Sequence, residues 1–173
     1  MAAASTVDRP VSWSNQDLVV YHGTVDTYVP ALIGRAVSVS AGRQNTDFGP
    51  GFYTTTRLQQ AESWAKKVSR GKRGTKPVVV EFAMSREALG RLDALAFARG
   101  HDSADYLWSL IRHCRNGGAD HGRNEGPGFY DVVYGPVSMD CTQQIAALDG
   151  DQISFHTAAA ESVLNQRSGR RIL

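Results

Sequence analysis

Cysteine is scarce: Cys114 and Cys141 are the only two in 173 residues. They lie far apart with no partnered spacing, which excludes a disulfide framework and a cysteine-based zinc motif and favours a reduced compartment. No apolar run approaches the roughly 20 residues that span a bilayer, so no membrane partner is expected. The N-terminal "MAAASTVDRP" lacks a basic start followed by a hydrophobic region. No secretory signal is expected, and the cytoplasm is the expected location. Neither sign of charge dominates, since 19 basic and 17 acidic residues leave a net +2. That excludes a whole-molecule nucleic-acid signature and leaves a local basic patch open. There is no glycine-rich loop ending in Lys-Ser or Lys-Thr and no serine nucleophile elbow, so nucleotide triphosphates and acyl transfer are not indicated. His101, His113, His121 and His156 show no metal spacing with carboxylates. They read as solvent-facing or structural, and no metal is expected.

What is present suffices for one compact domain, with 42% hydrophobic residues. Residues 1–14 read as a loose leader, 15–166 as the domain and 167–173 as a basic tail. "QDLVVYHG" reads as a buried strand, and "VDTYVPALIGRAVSVS" allows no more than a short helical turn because of Pro30 and Gly34. A turn-rich loop, "SAGRQNTDFGPG", leads to the aromatic and β-branched strand "GFYTT". "TRLQQAESWAKKVSR" is the clearest helix, with Leu58, Ala61, Trp64, Ala65 and Val68 on one stripe. "RGKRGTK" is a basic connection, "PVVVEFAM" a strand, and "SREAL" begins with a capping serine. "DSADYLWSLIRHCR" is a second amphipathic helix through Tyr106, Leu107, Leu110, Ile111 and Cys114. After the glycine-rich "NGGADHGRNEGPG" come two strands, "YDVVYGPV" and "DQISFHT", and a closing helix "AAAESVLNQ". The sum is an α+β domain with at least five strands and two dominant helices.

Two stretches carry chemistry. On spacing alone, "YHGT" at 21–24 reads as a strand end followed by a turn. Functionally, His22 offers a two-faced imidazole and Gly23 bare backbone, a pair able to grip a ribose hydroxyl and a planar amide. "DFGPGFYTT" at 47–55 could be a structural hairpin. The following helix places Trp64 eleven positions after Tyr53, so both rings could wall one cleft, although a tryptophan on an apolar stripe is more often core. Gln152 reads as a polar residue near the start of a strand, with Asp151 pointing away from it by alternation.

In order, these pieces resemble an ADP-ribosyltransferase of the diphtheria-toxin and poly(ADP-ribose) polymerase type, closest to small bacterial toxin-like members. The resemblance runs from about Leu18 to Leu164. It implies a split β-sandwich around an NAD cleft, with NAD as co-substrate. By position, it assigns His22 to the adenosine ribose, the Gly23 backbone to the nicotinamide amide, and Tyr53 to the signature tyrosine. Thr24 follows in the same motif, and Trp64 serves as the second aromatic around the nicotinamide. Gln152 stands where the polymerase-like enzymes have glutamate. It keeps a hydrogen bond to the nicotinamide ribose but not the negative charge, which disfavours chain formation. The implied activity is mono-ADP-ribosylation of a macromolecular acceptor, protein or nucleic acid, with release of nicotinamide. NAD hydrolysis, or NAD/ADP-ribose binding without turnover, is the alternative. RNA 2′-phosphotransfer on a related fold also starts with "HGT", but no matching arginine set is found for it. A toxin of this kind implies an antitoxin partner. Asp131 and Glu125 are the next candidates should Gln152 have no catalytic role. The long loops 25–47 and 112–128 are expected to frame the acceptor site, with Arg43, Arg115 and Arg123 offered to pyrophosphate or a nucleic-acid acceptor.

Overall fold

The computed structural model describes residues 17–98, 104–123, 126–166 and 170–173. The leader, His101 and Glu125 lie outside them. Two sheets organise the chain. Strands β1 (Leu18–Val25), β3 (Pro77–Met84) and β7 (Arg170–Ile172) form a three-stranded antiparallel sheet in the order β1-β3-β7. Strands β2 (Phe52–Thr54), β6 (Ile145–Phe155), β5 (Val132–Asp140) and β4 (Ala94–Ala96) form the second, in the order β2-β6-β5-β4, with β4 parallel to β5. One bridge joins them, where the Tyr21 N–H donates to the Thr55 carbonyl at 2.8 Å and the Thr55 N–H donates back at 2.9 Å. The fold is α+β.

β-branched runs such as Val78-Val79-Val80 build the strands, because their stiff side chains suit a pleated, buried surface. Val20, Val80, Phe82 and Met84 from one sheet share a core with Phe52, Val132, Ile153 and Phe155 from the other. Helix α5 (Ala158–Leu164) closes that core with Ala160, Val163 and Leu164. Its N-terminus is capped by Thr157, whose hydroxyl accepts from the Ala160 N–H. Helix α4 (Ala104–Arg115) covers the outer face of the second sheet, burying Leu107, Trp108, Leu110, Ile111 and Cys114 with Val133 and Phe48. Helix α2 (Leu58–Arg70) packs on β1 and β3 through Ala61 and Ala65, against Val79 and Tyr21. Two short helices complete the chain. α1 (Val29–Gly34) carries Pro30 in its first turn, and α3 (Arg86–Leu89) is capped by Ser85 as its sequence implies.

Several expectations need correction. "YHGT" is not a strand end: β1 continues to Val25, because His22, Gly23 and Thr24 all keep partners in β3. Gln152 is not near the start of its strand either. Strand β6 begins at Ile145, so Gln152 sits deep in a strand flanked on both sides. Arg170–Ile172, assigned above to the tail, is the third strand of the first sheet. The α2 stripe is buried only at its alanines, while Leu58 and Trp64 stay exposed. The reason is proximity. A Cβ on Gly23 would lie 2.1 Å from the Ala61 carbonyl oxygen, so helix and strand backbones nearly touch and only small residues fit between them. On α4, Trp108 takes the buried position expected for Tyr106, which is exposed.

Candidate functional site

The gap between the sheets begins where β1 loses its neighbour. Tyr21 directs both backbone groups to Thr55, so in the β1–β3 ladder it is a non-hydrogen-bonded position. Gly23, two residues on, faces the same way. Its partner Val79 confirms the phase, because the Val79 carbonyl accepts from Leu173 on the far side at 3.0 Å. The Gly23 N–H and C=O therefore point into the gap, and neither has a partner among the described residues. Gly23 is buried. A buried, unpaired donor and acceptor on one residue is a rare arrangement that calls for an occupant.

His22 stands beside this edge. Its Nδ1 donates to the Tyr53 carbonyl at 2.7 Å, and its ring stacks on Phe52 with centroids 4.4 Å apart. A carbonyl can only accept, so the proton is on Nδ1 and the Nε2 lone pair remains. Burial holds the imidazole below its ordinary pKa, against the smaller opposing pull of the Tyr53 carbonyl, so it is neutral at pH 7. Nε2 has no partner among the described residues. Thr24 is buried within the β1–β3 ladder, opposite Val78.

Tyr53 is used differently. Its hydroxyl donates to the Gly49 carbonyl at 2.8 Å, accepts from the Phe48 N–H at 2.9 Å and meets the Thr46 hydroxyl at 2.9 Å. Burial pushes the phenol well above its ordinary pKa. The "DFGPG" loop is clamped from other sides as well. His121 Nε2 donates to the Phe48 carbonyl at 2.9 Å while its Nδ1 accepts from the Tyr130 N–H, and His156 Nδ1 donates to the Pro50 carbonyl at 2.8 Å. With His22 on Tyr53, three imidazoles hold three carbonyls of one six-residue stretch, Phe48–Tyr53. Tyr53 and Trp64 make no direct ring contact among the described residues. Trp64 is 46% exposed, with the Lys67 ammonium 5.1 Å from its ring centre.

Gln152 is buried, and its amide nitrogen donates to Asp47 Oδ2 at 2.7 Å and to the Pro136 carbonyl at 3.0 Å. Both partners are acceptors, so the amide orientation is fixed and Oε1 faces the other way. Asp47 also takes the Ser138 N–H at 3.0 Å and a two-nitrogen contact from Arg115 at 2.8 and 2.6 Å. The charge missing from Gln152 thus stands one residue behind it, partly neutralised by Arg115. Gln152 and Tyr21 are two strand spacings apart, on the order of 10 Å, because β6, β2 and β1 lie side by side there. A depression of about 310 Å³ lies on the far side of Gln152, lined by Phe97, Tyr134, Pro136 and Gly150, and reaches neither His22 nor Gly23.

Asp151 accepts from the hydroxyls of Thr55 and Thr56, and its backbone is gripped by Gln60 from α2. Asp131 accepts from the Thr157 hydroxyl and the Asp93 N–H, a structural role. Arg115 is committed to Asp47, and Arg123 pairs with Asp93 at 2.6 Å while lying over the Tyr130 ring. Neither is free for an acceptor. Arg43 is exposed near Tyr28 rather than beside His22. Burial raises the Cys114 thiol to about 12, which excludes it as a nucleophile. The described residues contain no cluster of metal-ligating side chains and no helix long and apolar enough to cross a membrane.

Residues 18–161 match the family described as "Protein of unknown function (DUF3990)". The chain belongs to that family. The match contains His22, Gly23, Tyr53, Asp47 and Gln152, so the whole gap lies within the DUF3990 region. No curated protein and no solved structure matches the chain. Asp47, Gln60 and the clamping roles of His121 and His156 are not marked by the sequence pattern. Asp47 leads the turn-rich "DFGPG" and could have been read as a turn-anchoring acceptor. Gln60 gives no such signal, being one polar residue among many on α2.

Proposed function

We propose that this DUF3990 member is an NAD-dependent mono-ADP-ribosyltransferase that modifies a macromolecular acceptor and releases nicotinamide, acting as a toxin-like enzyme. The observation that carries the reading is the unpaired Gly23 N–H and C=O in the gap. A primary carboxamide presents one acceptor and one donor, the complement of that pair, and nicotinamide bears such a group. His22 Nε2, neutral and unpartnered among the described residues, accepts from a ribose hydroxyl. Gln152 Oε1, oriented by the bonds of its amide nitrogen to Asp47 and Pro136, accepts from a second ribose hydroxyl.

NAD supplies a cationic leaving group: its glycosidic bond breaks with both electrons leaving on nicotinamide, and the sugar passes through an oxocarbenium-like state. The chain's own residues bind and orient. Gly23 fixes the amide plane, and Gln152 presents an oxygen dipole to the ribose, backed by the Asp47 carboxylate. The acceptor contributes the nucleophile and loses its proton. Gln152, being neutral, gives weaker charge stabilisation than glutamate, which favours single transfer or hydrolysis over chain growth. The same neutrality supports a second reading, an NAD-binding module without turnover.

Incubation with NAD, following nicotinamide by chromatography alongside calorimetric titration, separates these readings. Binding with release supports the transferase, and binding without release supports the module. No binding by the parent chain rejects both.

A further inference from the structure

The cations are unevenly spread. Residues 66–76 hold Lys66, Lys67, Arg70, Lys72, Arg73 and Lys76 and no acid, so with a chain total of +2 the rest carries a net −4. Among the described residues none of these six forms an ion pair, whereas Arg57, Arg91, Arg115, Arg123 and Arg171 all do. Five of the six are exposed, Lys72 being half-buried.

Two aromatic rings sit in this field. Trp64 is 46% and Tyr28 47% exposed, with Lys67 over the first ring at 5.1 Å and Lys72 over the second at 4.2 Å. Trp64, Lys67 and Gly71 follow one stripe of α2, which runs out into the turn bearing Lys72. That turn is held in shape. Ser69 donates to the Thr75 carbonyl at 2.8 Å, Thr75 donates to the Lys72 carbonyl at 2.8 Å, and the Lys76 N–H donates to Asp26 at 3.1 Å. Tyr28 is brought to it from another part of the chain, and the Tyr28 phenol is held below its ordinary pKa chiefly by Lys72 and further by Arg43. The result is a fixed basic surface with two presented π faces.

We propose that this surface, α2 from Trp64 through the 71–76 turn together with Tyr28, binds single-stranded nucleic acid. Cations without carboxylate partners match a phosphate backbone, Lys72 also donating to the Tyr28 hydroxyl, and exposed rings stack on bases only where those bases are unstacked, which favours a single strand over a duplex. A membrane surface fits less well. The small apolar side of α2, Ala61 and Ala65, is buried on the sheet, so no apolar face is left to enter lipid. The inference goes beyond the NAD reading and is tested without NAD.

The experiment is fluorescence anisotropy with fluorescein-labelled 12-nucleotide uridine and thymidine strands from 50 to 200 mM NaCl. The parent should bind, with affinity falling steeply with salt; six phosphate contacts give a log–log slope of about −4. The triple variant Lys66→Glu, Lys67→Glu, Arg73→Glu, all at exposed positions, should bind at least about 10-fold more weakly with an unchanged melting temperature. Tyr28→Ala should lose about 5-fold while keeping the salt slope, because stacking releases no counterions. Failure of the parent to bind either strand overturns the proposal, as does a triple variant that binds like the parent. Equal competition by polyglutamate together with a neutral Tyr28→Ala would mean charge alone, and tighter binding to phosphatidylserine vesicles would mean a lipid surface. Either result overturns it too.

Discussion

The two sides of the gap use side chains differently. On the β1 side, Gly23 leaves an N–H and a carbonyl unpaired and His22 leaves a ring nitrogen unpaired among the described residues. On the facing side, side chains clamp the Thr46–Tyr53 stretch: His22, His121 and His156 donate to the carbonyls of Tyr53, Phe48 and Pro50, and the Tyr53 hydroxyl closes the loop on itself. The two stretches look alike in sequence, each a glycine beside an aromatic or imidazole ring. Their difference separates a surface that can receive a ligand from a scaffold that holds it in place.

The scaffold side should break most severely at Asp47. Its carboxylate is buried and serves Arg115, Gln152 and the Ser138 N–H together. Asp47→Ala would leave the Ser138 N–H and the Arg115 guanidinium without their acceptor and cost Gln152 one of two; with Arg115 one-third exposed, the loss falls at the low end of the range for a broken buried pair, about 3 kcal/mol. Urea denaturation should register that loss. A shift below about 1 kcal/mol would mean the loop is held without Asp47.

Acid should open the same clamp by a second route. Burial holds His22 and His121 below their ordinary pKa and brings His156 down to about 4, from an unfolded value of 6.5. The unfolded chain therefore binds protons that the native chain refuses. The contribution is complete above pH 6.5 and is lost as pH falls from 6.5 towards 4. For His156 alone that amounts to about 3 kcal/mol. His156→Gln isolates the effect: the stability difference between parent and variant should shrink across that window. A difference constant with pH would place the histidine's pKa near its solution value.

Much of this organisation was legible in the sequence, and the misses share a cause. Five of the strands and the two main helices follow from local sequence patterns, and the Ser85 cap from its position, since these depend on neighbours a few residues away; the three-residue strands β4 and β7 gave no such signal. The depth of β1 and β6 was misjudged because strand length is set by the partner strand; His-Gly looks like an ending until Val80 and Val79 pair with it. Trp64 was placed on an apolar stripe, yet the close approach of Ala61 to Gly23 leaves room only for small side chains between helix and sheet. Gln152 was legible as a candidate, but Asp47 behind it was not. The two stand 105 positions apart, and no local pattern links them.

Tyr53→Phe offers a milder and more selective break. It removes one oxygen, leaving the Phe48 N–H without its acceptor inside a closed loop. A cost of about 1–3 kcal/mol is expected, the penalty for an unsatisfied buried donor. NAD affinity should hardly change, because the hydroxyl faces Thr46, Phe48 and Gly49 rather than the gap. A large loss of affinity with unchanged stability would move Tyr53 to the binding side.

Trp64→Ala should do the reverse, and its effect on stability is the smallest expected. Nearly half of the side chain is exposed and its named contact is an exposed lysine, so unfolding free energy should change by less than about 0.5 kcal/mol. Trp64 lies one turn beyond Gln60, on the stripe of α2 that grips the β6 backbone beside Gln152. The resemblance assigns its ring to the planar group held by Gly23, and losing such a stack costs about 0.5–1.5 kcal/mol, roughly 2- to 12-fold in affinity. Calorimetric titration of NAD into Trp64→Ala and Tyr53→Phe, paired with melting curves of both, compares the two sides directly. The division stands if Trp64→Ala weakens binding and spares stability while Tyr53→Phe does the opposite. It fails if both variants lose the same property, since a single residue class would then be serving both sides of the gap.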